Sequence, residues 1–284
     1  MRLFKKSADL HHWLKQQKAK GKTIGFAPTM GALHNGHLSL IEASKKDNSI
    51  TVSSIFVNPA QFNDPKDFEK YPITLEKDIE LLELAGCNVL FLPSVSEIYP
   101  GGAPDNEHYN LGYLETILEG KYRSGHFQGV CKVVKRLLDI VQPGNLYLGQ
   151  KDYQQCMVIT KLIELMGWKD SIKVSVCPTL READGLAMSS RNMRLTKAER
   201  ENAPAIYRTL GFLKTNLEKG NLLPLKRKAL EKLIAERFKP DYIEIADAST
   251  LQPIDEWNGK QKLVAVAAAF LNEVRLIDNL LLNE

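Results

Sequence analysis

Short apolar runs alternate with helix-type patterns through most of the chain. A short apolar run is typical of a buried strand, and apolar residues spaced i, i+3 and i+4 are typical of the buried face of a helix. These patterns predict strands at 23–27, 50–57, 88–92, 145–148 and 172–176, and helices at 38–43, 75–85, 128–141 and 154–166. Strands that alternate with helices indicate right-handed crossovers and a parallel sheet covered on both faces.

The pattern changes near Pro178. A capping box is predicted at Thr196 to Glu199, and Pro204 is expected to break or restart the helix that follows. Two helical segments then precede closely spaced apolar runs at 242–245, 262–270 and 273–277. Helices followed by neighbouring strands suggest a small α+β domain on an antiparallel sheet. We therefore expect one domain over residues 1–178 and a smaller one over 179–284.

A stretch rich in glycine and proline, 93–110, is predicted to be a long loop. Loops of that length within a compact domain often serve a function. The N-terminal segment has Leu10, Trp13 and Leu14 at helical spacing among lysines, which is unlike a signal peptide. The longest apolar run, 263–271, is far shorter than the about 20 residues that cross a bilayer.

Composition narrows the class of protein further. The chain has 284 residues, of which 44% are hydrophobic and 25% charged, and its formal net charge is +4. Nucleic-acid binders concentrate far more positive charge on one face, so that role is not expected. No Cys-x-x-Cys occurs, and the cysteines are predicted to be buried free thiols in a reducing, cytoplasmic compartment. They are Cys87, Cys131, Cys156 and Cys177.

The most informative segment is 28–37, which reads Pro-Thr-Met-Gly-Ala-Leu-His-Asn-Gly-His and lies at a predicted strand-to-helix junction. In an open α/β sheet, backbone N–H groups and the helix dipole at such a junction point toward an anionic ligand. Gly31 and Gly36 would let the backbone approach phosphates, and His34 and His37 offer donors. Alone, the segment also fits a helix cap with a surface histidine, whereas a zinc pair would lack a nearby third ligand.

Two further segments carry side chains suited to ligand binding. Residues 56–62 end the second predicted strand and place Gln61 at the carboxyl edge of the sheet. Residues 149–155 form another junction, where Lys151 could face phosphate and Gln155, one turn later, is expected to share its helix face. Taken singly, these segments also fit a turn-capping amide and a solvated helix start.

Residues 181–192 follow the last strand of the first domain. Ser189, Ser190, Arg191 and successive backbone N–H groups are suited to clamp a departing pyrophosphate, although a serine-rich linker is the plainer alternative. Arg123 and His126 are possible additional phosphate contacts. Neither a P-loop nor a Gly-x-Gly-x-x-Gly turn is present, which favours a His-x-Gly-His type of nucleotide site.

Segments 28–37, 56–62, 149–155 and 181–192 stand in an order and spacing that resembles the pantothenate synthetase family over essentially the whole chain. The resemblance implies an α/β fold with a doubly wound, Rossmann-like parallel sheet and a smaller C-terminal α+β lid domain. It implies condensation of pantoate with β-alanine through a pantoyl-adenylate, using ATP and Mg²⁺ and releasing AMP and pyrophosphate. It also implies a homodimer formed through the first domain.

The resemblance also assigns roles to residues of this chain. Gln61 and Gln155 would bind pantoate, with Gln61 also near β-alanine. The catalytic residues would be His37, His34, Lys151 and Arg191. The ATP site would comprise Met30, Gly31, Ala32, Leu33, His34, Asn35, Gly36, His37, Gly149, Gln150, Lys151, Asp152, Leu180, Met188, Ser189, Ser190 and Arg191. The protein ligands of Mg²⁺ are not identified, Asp78 being a faint candidate. Departures from the family pattern are small: Ile73, Ser124 and Leu180 replace its usual arginine, proline and valine.

The expected chemistry follows from the substrate. The carboxylate of pantoate is ionised at pH 7, because its usual pKa is about 4, so its attack on the α-phosphate needs no general base. Positioning and charge neutralisation are required instead, and His37 is predicted to act mainly as a donor. The dimethyl group of pantoate needs an apolar surface beside it, and the candidates to form that surface are Pro28, Met30 and Phe62.

Three other functions are weighed against this one. A nucleotidyltransferase acting on a phosphorylated acceptor would use the same first turn, but the neutral amides Gln61 and Gln155 suit a hydroxy acid better than a phosphate. An aminoacyl-tRNA-synthetase-like module is disfavoured by the net charge of +4 and the lack of a tRNA-binding extension. A non-catalytic nucleotide-binding protein is disfavoured because every catalytic-type position is occupied.

Overall fold

The computed structural model of the protein describes residues 1–102 and 107–283. Within these ranges the chain forms two compact units, which are described separately. The first unit comprises Met1–Gln150 and Gln155–Pro178, and the second comprises Lys151–Gln154 and Thr179–Glu284. Over the described residues, no helix combines the length and apolar character needed to cross a membrane.

The first unit is built on a six-stranded parallel sheet with the order β1-β4-β3-β2-β5-β6. Its strands are β1 (Arg2–Phe4), β2 (Ile24–Thr29), β3 (Ile50–Ile55), β4 (Val89–Phe91), β5 (Asn145–Gly149) and β6 (Lys173–Cys177). The helices that accompany it are α1 (Ser7–Ala19), α2 (Asn35–Asp47), α3 (Pro65–Glu69), α4 (Leu75–Leu84), α5 (Val95–Ile98), α6 (Leu118–Tyr122), α7 (His126–Val141) and α8 (Tyr153–Leu165). The predicted α/β fold with a parallel sheet is confirmed.

Two sequence-based expectations in this unit need correction. The helical spacing of Leu10, Trp13 and Leu14 is confirmed by α1, but the short edge strand β1, which pairs in parallel with β4, was not predicted. Three residues are too few to show a period. The predicted loop 93–110 contains helix α5, which begins where Ser94 Oγ accepts a hydrogen bond from Glu97 N. Residues 103–106 of that loop lie outside the described residues.

The strand order creates a topological switch point. From β2 the chain moves through β3 and β4 toward one edge of the sheet, and it then returns to place β5 on the other side of β2. Ligands of open α/β sheets bind where the strand order reverses, outside the carboxyl ends of the strands. The segments after β2 and β5 therefore begin at the edge of the sheet where a ligand is expected.

The core of the first unit explains why this edge is rigid. Both faces of β2 and β3 are buried, as expected for a parallel sheet between helices. Leu40 and Ile41 of α2 and Leu82 of α4 pack on one face against Ala27 and Tyr147. Burial raises the pKa of Tyr147 to about 12, and its phenol donates to Asp47 Oδ2 at 2.9 Å. Helix α2 is thereby fixed to the centre of the sheet.

The second unit is a smaller α+β assembly, as predicted. A three-stranded antiparallel sheet with the order β11-β10-β8 is accompanied by a two-stranded pair of β7 and β9. Its elements are α9 (Lys197–Asn202), α10 (Ala205–Thr215), β7 (Gly220–Asn221), α11 (Leu223–Ala235), β8 (Lys239–Asp247), β9 (Glu256–Trp257), β10 (Leu263–Leu271) and β11 (Val274–Leu281). The long apolar run of the sequence is the central strand β10, whose alternate residues pack with α10 and α11 in one core.

Two local predictions in the second unit are confirmed. The capping box is present, with Thr196 Oγ1 accepting from Glu199 N and Glu199 Oε2 accepting from Thr196 N. Pro204 separates α9 from α10 and serves as the N-cap of α10. Of the predicted thiols, all four are free and three are buried, whereas Cys177 is half-buried.

Candidate active site

The turn after β2 uses its own backbone N–H groups to hold its shape. Gly31 N donates to Thr29 Oγ1 at 3.2 Å. Ala32 N donates to Asp78 Oδ2 at 2.9 Å, and Leu33 N donates to Asp78 Oδ1 at 2.8 Å. Three successive N–H groups are thus bonded to protein oxygen atoms. The expectation that Gly31 lets the backbone approach a phosphate stays a prediction.

Gly31 also has a conformational role in this turn. Its φ is +83° and that of Ala32 is +50°, so two successive residues adopt the left-handed conformation. A Cβ at position 31 would also lie 3.0 Å from Asp78 Oδ2. Glycine adopts this conformation without steric cost, whereas alanine does not. Gly31 therefore permits the turn and the close approach of the Asp78 carboxylate.

His34 and His37 are placed together at the first turn of α2. His34 is the N-cap residue in extended conformation, and His34 N donates to His37 Nδ1 at 3.4 Å. The two rings are 4.0 Å apart between centroids. Because Nδ1 of His37 accepts a hydrogen bond, the neutral ring carries its proton on Nε2. His37 therefore offers a donor on the side of the ring opposite the backbone.

Gln61 is held by its neighbours in the first unit. It ends a 3-10 helix, Pro59–Gln61, whose N-cap is Asn58. Asn58 Nδ2 donates to Gln61 Oε1 at 3.2 Å, and Gln61 Nε2 donates to Met30 Sδ at 2.9 Å. Asn58 Oδ1 accepts in turn from the phenol of Tyr99 at 2.9 Å. Burial raises the pKa of Tyr99, so the phenol stays protonated and keeps donating.

Helix α7 packs against the 3-10 helix that carries Gln61. A Cβ on Gly129 would lie 2.0 Å from Ala60 O, so only glycine lets the helix pass this close. His126, which is buried, contacts Gln61 O through Nδ1 at 2.7 Å and Arg123 Nη1 through Nε2 at 3.0 Å. Both ring nitrogens of His126 are therefore used within the protein. In this structure His126 holds the backbone of Gln61, and the expectation that it contacts phosphate stays untested.

The segment after β5 is divided between the units. Gly149 and Gln150 belong to the first unit, whereas Lys151 and Asp152 belong to the second. Residues Gln150–Asp152 form a 3-10 helix, and α8 begins only at Tyr153. Lys151 therefore lies in the 3-10 helix and Gln155 in α8, and the prediction that they share a helix face stays a prediction.

Lys151 is fixed to the second unit through its backbone. Asn279 Nδ2, on β11, donates to Lys151 O at 2.9 Å, and Asn279 itself is buried. The Lys151 side chain is 17% exposed, and its Nζ lies 3.6 Å from Asp152 Oδ1. A mostly desolvated ammonium next to one carboxylate is suited to meet further negative charge.

The segment around Arg181 forms a hairpin-like turn on β11. Arg181 Nη1 and Nη2 donate to the two oxygens of Asp278 at 2.6 and 2.9 Å, and the guanidinium lies 4.0 Å from the centroid of the Tyr207 ring. The guanidinium of Arg181 is therefore committed to contacts within the second unit. Leu180, by contrast, is exposed, and Leu180 O accepts from Met188 N.

Ser189, Ser190 and Arg191 belong to a 3-10 helix rather than to an irregular linker. Ser189 is its N-cap, with Oγ accepting from Arg191 N at 3.3 Å, and the helix spans Ser190–Arg194. This helix packs against β11. Strand β11 therefore supports both cationic candidates of the second unit, Lys151 through Asn279 and Arg191 through the 3-10 helix.

The supporting roles of several residues were not predicted from the sequence, in which Asp78 was considered only as a faint candidate for binding Mg²⁺. Asp78, Tyr99 and Asn279 are separated by 46, 41 and 128 residues from the residues they hold. Asn58 lies within a segment of interest, where its position before proline is the usual signal of a capping residue. Among the described residues, no group of three histidine, cysteine, aspartate or glutamate side chains could hold a metal ion.

Comparison with known proteins agrees with this geometry. The sequence model of the family described as Pantoate-beta-alanine ligase matches residues 2–281 of this chain. The chain belongs to the pantoate–β-alanine ligase family. The pantothenate synthetase of Cytophaga hutchinsonii is 44% identical over 272 residues, or 95% of each chain. That of Porphyromonas gingivalis is 43% identical over 281 residues, or 99% of each chain.

Solved structures place this ligase in the same fold. A crystal structure of pantothenate synthetase from Thermus thermophilus has a TM-score of 0.90 and 39% identity, with complete coverage of both chains. The pantoate–β-alanine ligase from Francisella tularensis, complexed with Beta-gamma ATP and β-alanine, has a TM-score of 0.82 and 40% identity. It covers 99% of this chain, which in turn covers 97% of it. The three alternative functions weighed from the sequence are set aside.

Proposed function

We propose that this ligase activates pantoate on ATP as a pantoyl-adenylate and then transfers the pantoyl group to β-alanine. The ATP-dependent ligation of pantoate and β-alanine follows from membership of the family. The adenylate, the bound Mg²⁺ and the roles of individual residues are the proposal. The observation that carries it is the placement of His34 and His37 together at the first turn of α2, where Nδ1 of His37 accepts a hydrogen bond from His34 N.

The first step requires charge stabilisation rather than a base. A carboxylate oxygen of pantoate attacks the α-phosphorus of ATP, the bond to the bridging oxygen breaks, and pyrophosphate leaves with the electron pair. Negative charge grows on the phosphate oxygens, and donors placed beforehand lower its energy. We assign this role to His34 and His37 of the first unit and to Lys151, Ser189, Ser190 and Arg191 of the second.

The remaining ATP contacts are proposed from the segments that carry those side chains. Residues 30–37 follow β2, Gly149 ends β5 and Gln150 follows it, so these residues share the carboxyl edge of adjacent strands at the switch point. Asp152, Leu180 and Met188 complete the proposed set in the second unit. The first domain, 1–178, would bind the nucleotide, and the second, 179–284, would act as the lid.

Pantoate is assigned to Gln61 and Gln155. The side chain of Gln61 is held by Asn58 and Met30, which orients a neutral amide at the end of β3. Neutral amides can bond both the hydroxyl and the carboxylate of a hydroxy acid without pairing its charge. Met30 and Phe62 are half-buried beside this amide and supply apolar surface for the dimethyl group.

In the second step the amine of β-alanine attacks the carbonyl carbon of the adenylate. The amide bond forms, the bond to the phosphate oxygen breaks, and AMP leaves with that oxygen. β-Alanine must lose a proton from its ammonium group before or during the attack. Exclusion of water protects the mixed anhydride, and a closing second domain would provide it.

Mg²⁺ is proposed to enter with ATP. The described residues offer no cluster of ligands that would hold a metal by itself. This fits an ion that keeps several water molecules and is bound chiefly by substrate phosphates, as Mg²⁺ commonly is. When bound, it would neutralise charge on the phosphate oxygens. Asp78 is not proposed as its ligand, because its oxygens accept hydrogen bonds from Ala32, Leu33 and Thr74.

Two further proposals concern the state of the protein in the cell. A homodimer formed through the first domain rests on the family resemblance, and light scattering would give a mass near 64 kDa, about twice the 32.0 kDa of one chain. A cytoplasmic location rests on four cysteines that are free in the structure.

The proposed first step is tested by pantoate-dependent exchange of labelled pyrophosphate into ATP, with Mg²⁺ and without β-alanine. Exchange that needs pantoate is expected, because forming the adenylate is reversible. ATP binding is verified in a separate measurement. A ligase that binds ATP and forms product but shows no such exchange would contradict the adenylate intermediate. Replacement of Gln61 and Gln155 by alanine is expected to lower the exchange rate, and unchanged rates would contradict their assignment.

A further inference from the structure

We propose that Asp78 is a positioning residue that holds the turn Gly31–Leu33 in its left-handed conformation and thereby places His34 and His37 for catalysis. This inference rests on the proposed assignment of residues 30–37 to ATP. Asp78 is not expected to touch substrate or metal. Its effect would be transmitted through the backbone of the turn.

The contacts are unusually complete for one carboxylate. Oδ2 accepts from Ala32 N at 2.9 Å, and Oδ1 accepts from Leu33 N at 2.8 Å and from Thr74 Oγ1 at 3.0 Å. The residue is 1% exposed. Hydrogen bonds from successive backbone N–H groups to an anion are among the stronger ones in proteins.

The turn needs such an anion. With φ of +83° at Gly31 and +50° at Ala32, two successive residues are left-handed, and the second is not glycine. Successive N–H groups in such a turn form a concave site that binds anions. Here the site is occupied by the protein's own carboxylate, so the turn keeps its shape whether or not nucleotide is bound.

Asp78 is itself held in place. It lies in the first turn of α4, where the helix N-terminus favours negative charge. The hydroxyl of Thr74, the N-cap residue, makes no capping bond to α4 and donates to Asp78 instead. Helix α4 also packs on α2, which carries His37.

The consequence for catalysis is geometric. The turn leads directly into His34, the N-cap of α2, whose N–H donates to His37 Nδ1. A change in the backbone at Ala32 or Leu33 therefore shifts the positions of both imidazole side chains. Misplacement of catalytic groups by about 1 Å can cost about 100-fold in rate.

The first test compares Asp78→Asn with Glu76→Gln. Asparagine places an NH₂ group against one of the backbone N–H groups, and we expect pyrophosphate exchange to fall by about 10- to 100-fold. Glu76 is also acidic, lies in the same helical turn and is exposed. Its change to glutamine removes the same charge, and we expect less than about a twofold effect. Equal rates in the two variants would overturn the inference.

Thr74→Val gives a milder variant in case Asp78→Asn does not fold. It removes one donor to Oδ1 without removing a helix cap, and a fall of about threefold is expected. A rate equal to that of the unmodified protein would count against the inference. Titration with Mg²⁺ separates the alternative of a metal ligand: if the loss in Asp78→Asn is recovered by raising Mg²⁺, Asp78 binds the metal and the inference is wrong.

A double-mutant cycle tests the backbone mechanism. Glycine at position 32 adopts the left-handed conformation without steric cost. The factor by which Asp78→Asn slows pyrophosphate exchange should therefore be at least about threefold smaller in an Ala32→Gly background than in the parent chain. Equal losses in both backgrounds would show that Asp78 does not act through the conformation of Ala32.

Hydrogen exchange gives a readout that does not depend on activity. Protection of the N–H groups of Ala32 and Leu33 should fall by at least about tenfold in Asp78→Asn and stay unchanged in Glu76→Gln. Unchanged protection would overturn the inference. If the parent chain shows no pantoate-dependent exchange of pyrophosphate but protection is lost as expected, the proposed function fails while the role of Asp78 in the turn stands.

Discussion

The two regions that supply the proposed ATP contacts are built in opposite ways. In the first unit, residues 30–37 are contiguous, and their shape is held by one carboxylate, that of Asp78. In the second unit, Lys151 and Arg191 come from separate segments, and strand β11 supports both. A continuous turn thus presents histidines, whereas a sheet edge presents cations.

The two regions are expected to differ in how substitutions affect them. In the turn, backbone conformation and side-chain chemistry are inseparable, because the N–H of His34 binds the ring of His37. In the second unit, Asn279 holds Lys151 by its carbonyl oxygen and leaves the ammonium unconstrained by that bond. Changes in the turn should therefore abolish chemistry, and changes at β11 should weaken binding more than chemistry.

The largest effect is expected at His37. His37→Gln keeps a donor near the position of Nε2, whereas His37→Asn keeps only an acceptor near Nδ1. We expect His37→Asn to slow pyrophosphate exchange by about 100- to 1000-fold, the usual loss of a donor to transition-state charge, and His37→Gln to be about tenfold faster than that. Steady-state exchange rates check this order. The reverse order would show that the acceptor at Nδ1 matters more than the donor at Nε2.

The next effect concerns the support of Gln61 by α7. Gly129→Ala would place a Cβ 2.0 Å from Ala60 O, so we expect a loss of about 1–3 kcal/mol in the free energy of unfolding and a higher KM for pantoate. Denaturant titration and kinetics measure these two quantities.

Gly211→Ala is the matched control for that variant. Gly211 lies within α10, and a Cβ there would meet no heavy atom within 4 Å. Alanine should raise the free energy of unfolding by about 0.5–1 kcal/mol. A loss of stability in both variants would mean that helical glycines are needed for reasons other than close packing.

A smaller effect on rate is expected at β11. Asn279→Ala removes the donor to Lys151 O, and we expect the KM for ATP to rise by about tenfold with a smaller change in kcat. Asn258→Ala, at an exposed turn of the same unit, is the control and should leave both constants unchanged. A fall in kcat with an unaltered KM would show that β11 acts on chemistry, as the turn does.

The smallest effect is expected at the turn that begins with Arg181. The hydrogen bond from Arg200 lowers the pKa of Asp184 below its usual 3.8. A lowered pKa stabilises the folded state above that value, and the contribution is lost as the pH falls through the folded-state pKa. Asp184→Asn should cost at most about 1 kcal/mol between pH 5 and 7, because the pair is partly exposed, and the difference should vanish toward pH 2. Thermal unfolding across this range measures it, and a difference that grows on acidification would contradict the sign.

The sequence was sufficient for most of the fold because the signals are local. Short apolar runs predicted β2, β3, β4, β5 and β6 at nearly their observed positions, and the same holds for β8, β10 and β11 of the second unit, whereas its two-residue strands β7 and β9 were not predicted. The edge strand β1 and the helix α5 were missed because three or four residues show no period. The 3-10 helix that contains Lys151 was not predicted either, because three residues are again too few to show a period.

The residues of the candidate site show the same difference between local and distant signals. His34, His37 and Gln61 stand out in the sequence because their chemistry and their local turn are encoded together. Asp78 was considered only as a faint Mg²⁺ ligand and Asn279 not at all, because an aspartate within a charged helix and an asparagine within a strand gain their supporting roles only through contacts 46 and 128 residues away. The residues proposed to contact ligands could therefore be named from the sequence, whereas the roles of the residues that hold them could not.

The most direct test of activation on the α-phosphate follows one oxygen atom. Pantoate labelled with ¹⁸O in its carboxylate is converted with ATP and β-alanine, and the AMP is analysed by mass spectrometry. Attack of the carboxylate on the α-phosphorus predicts that each AMP formed carries one oxygen from pantoate. Unlabelled AMP, or ADP with label in inorganic phosphate, would contradict the adenylate and the roles assigned here to His37, Lys151 and Arg191.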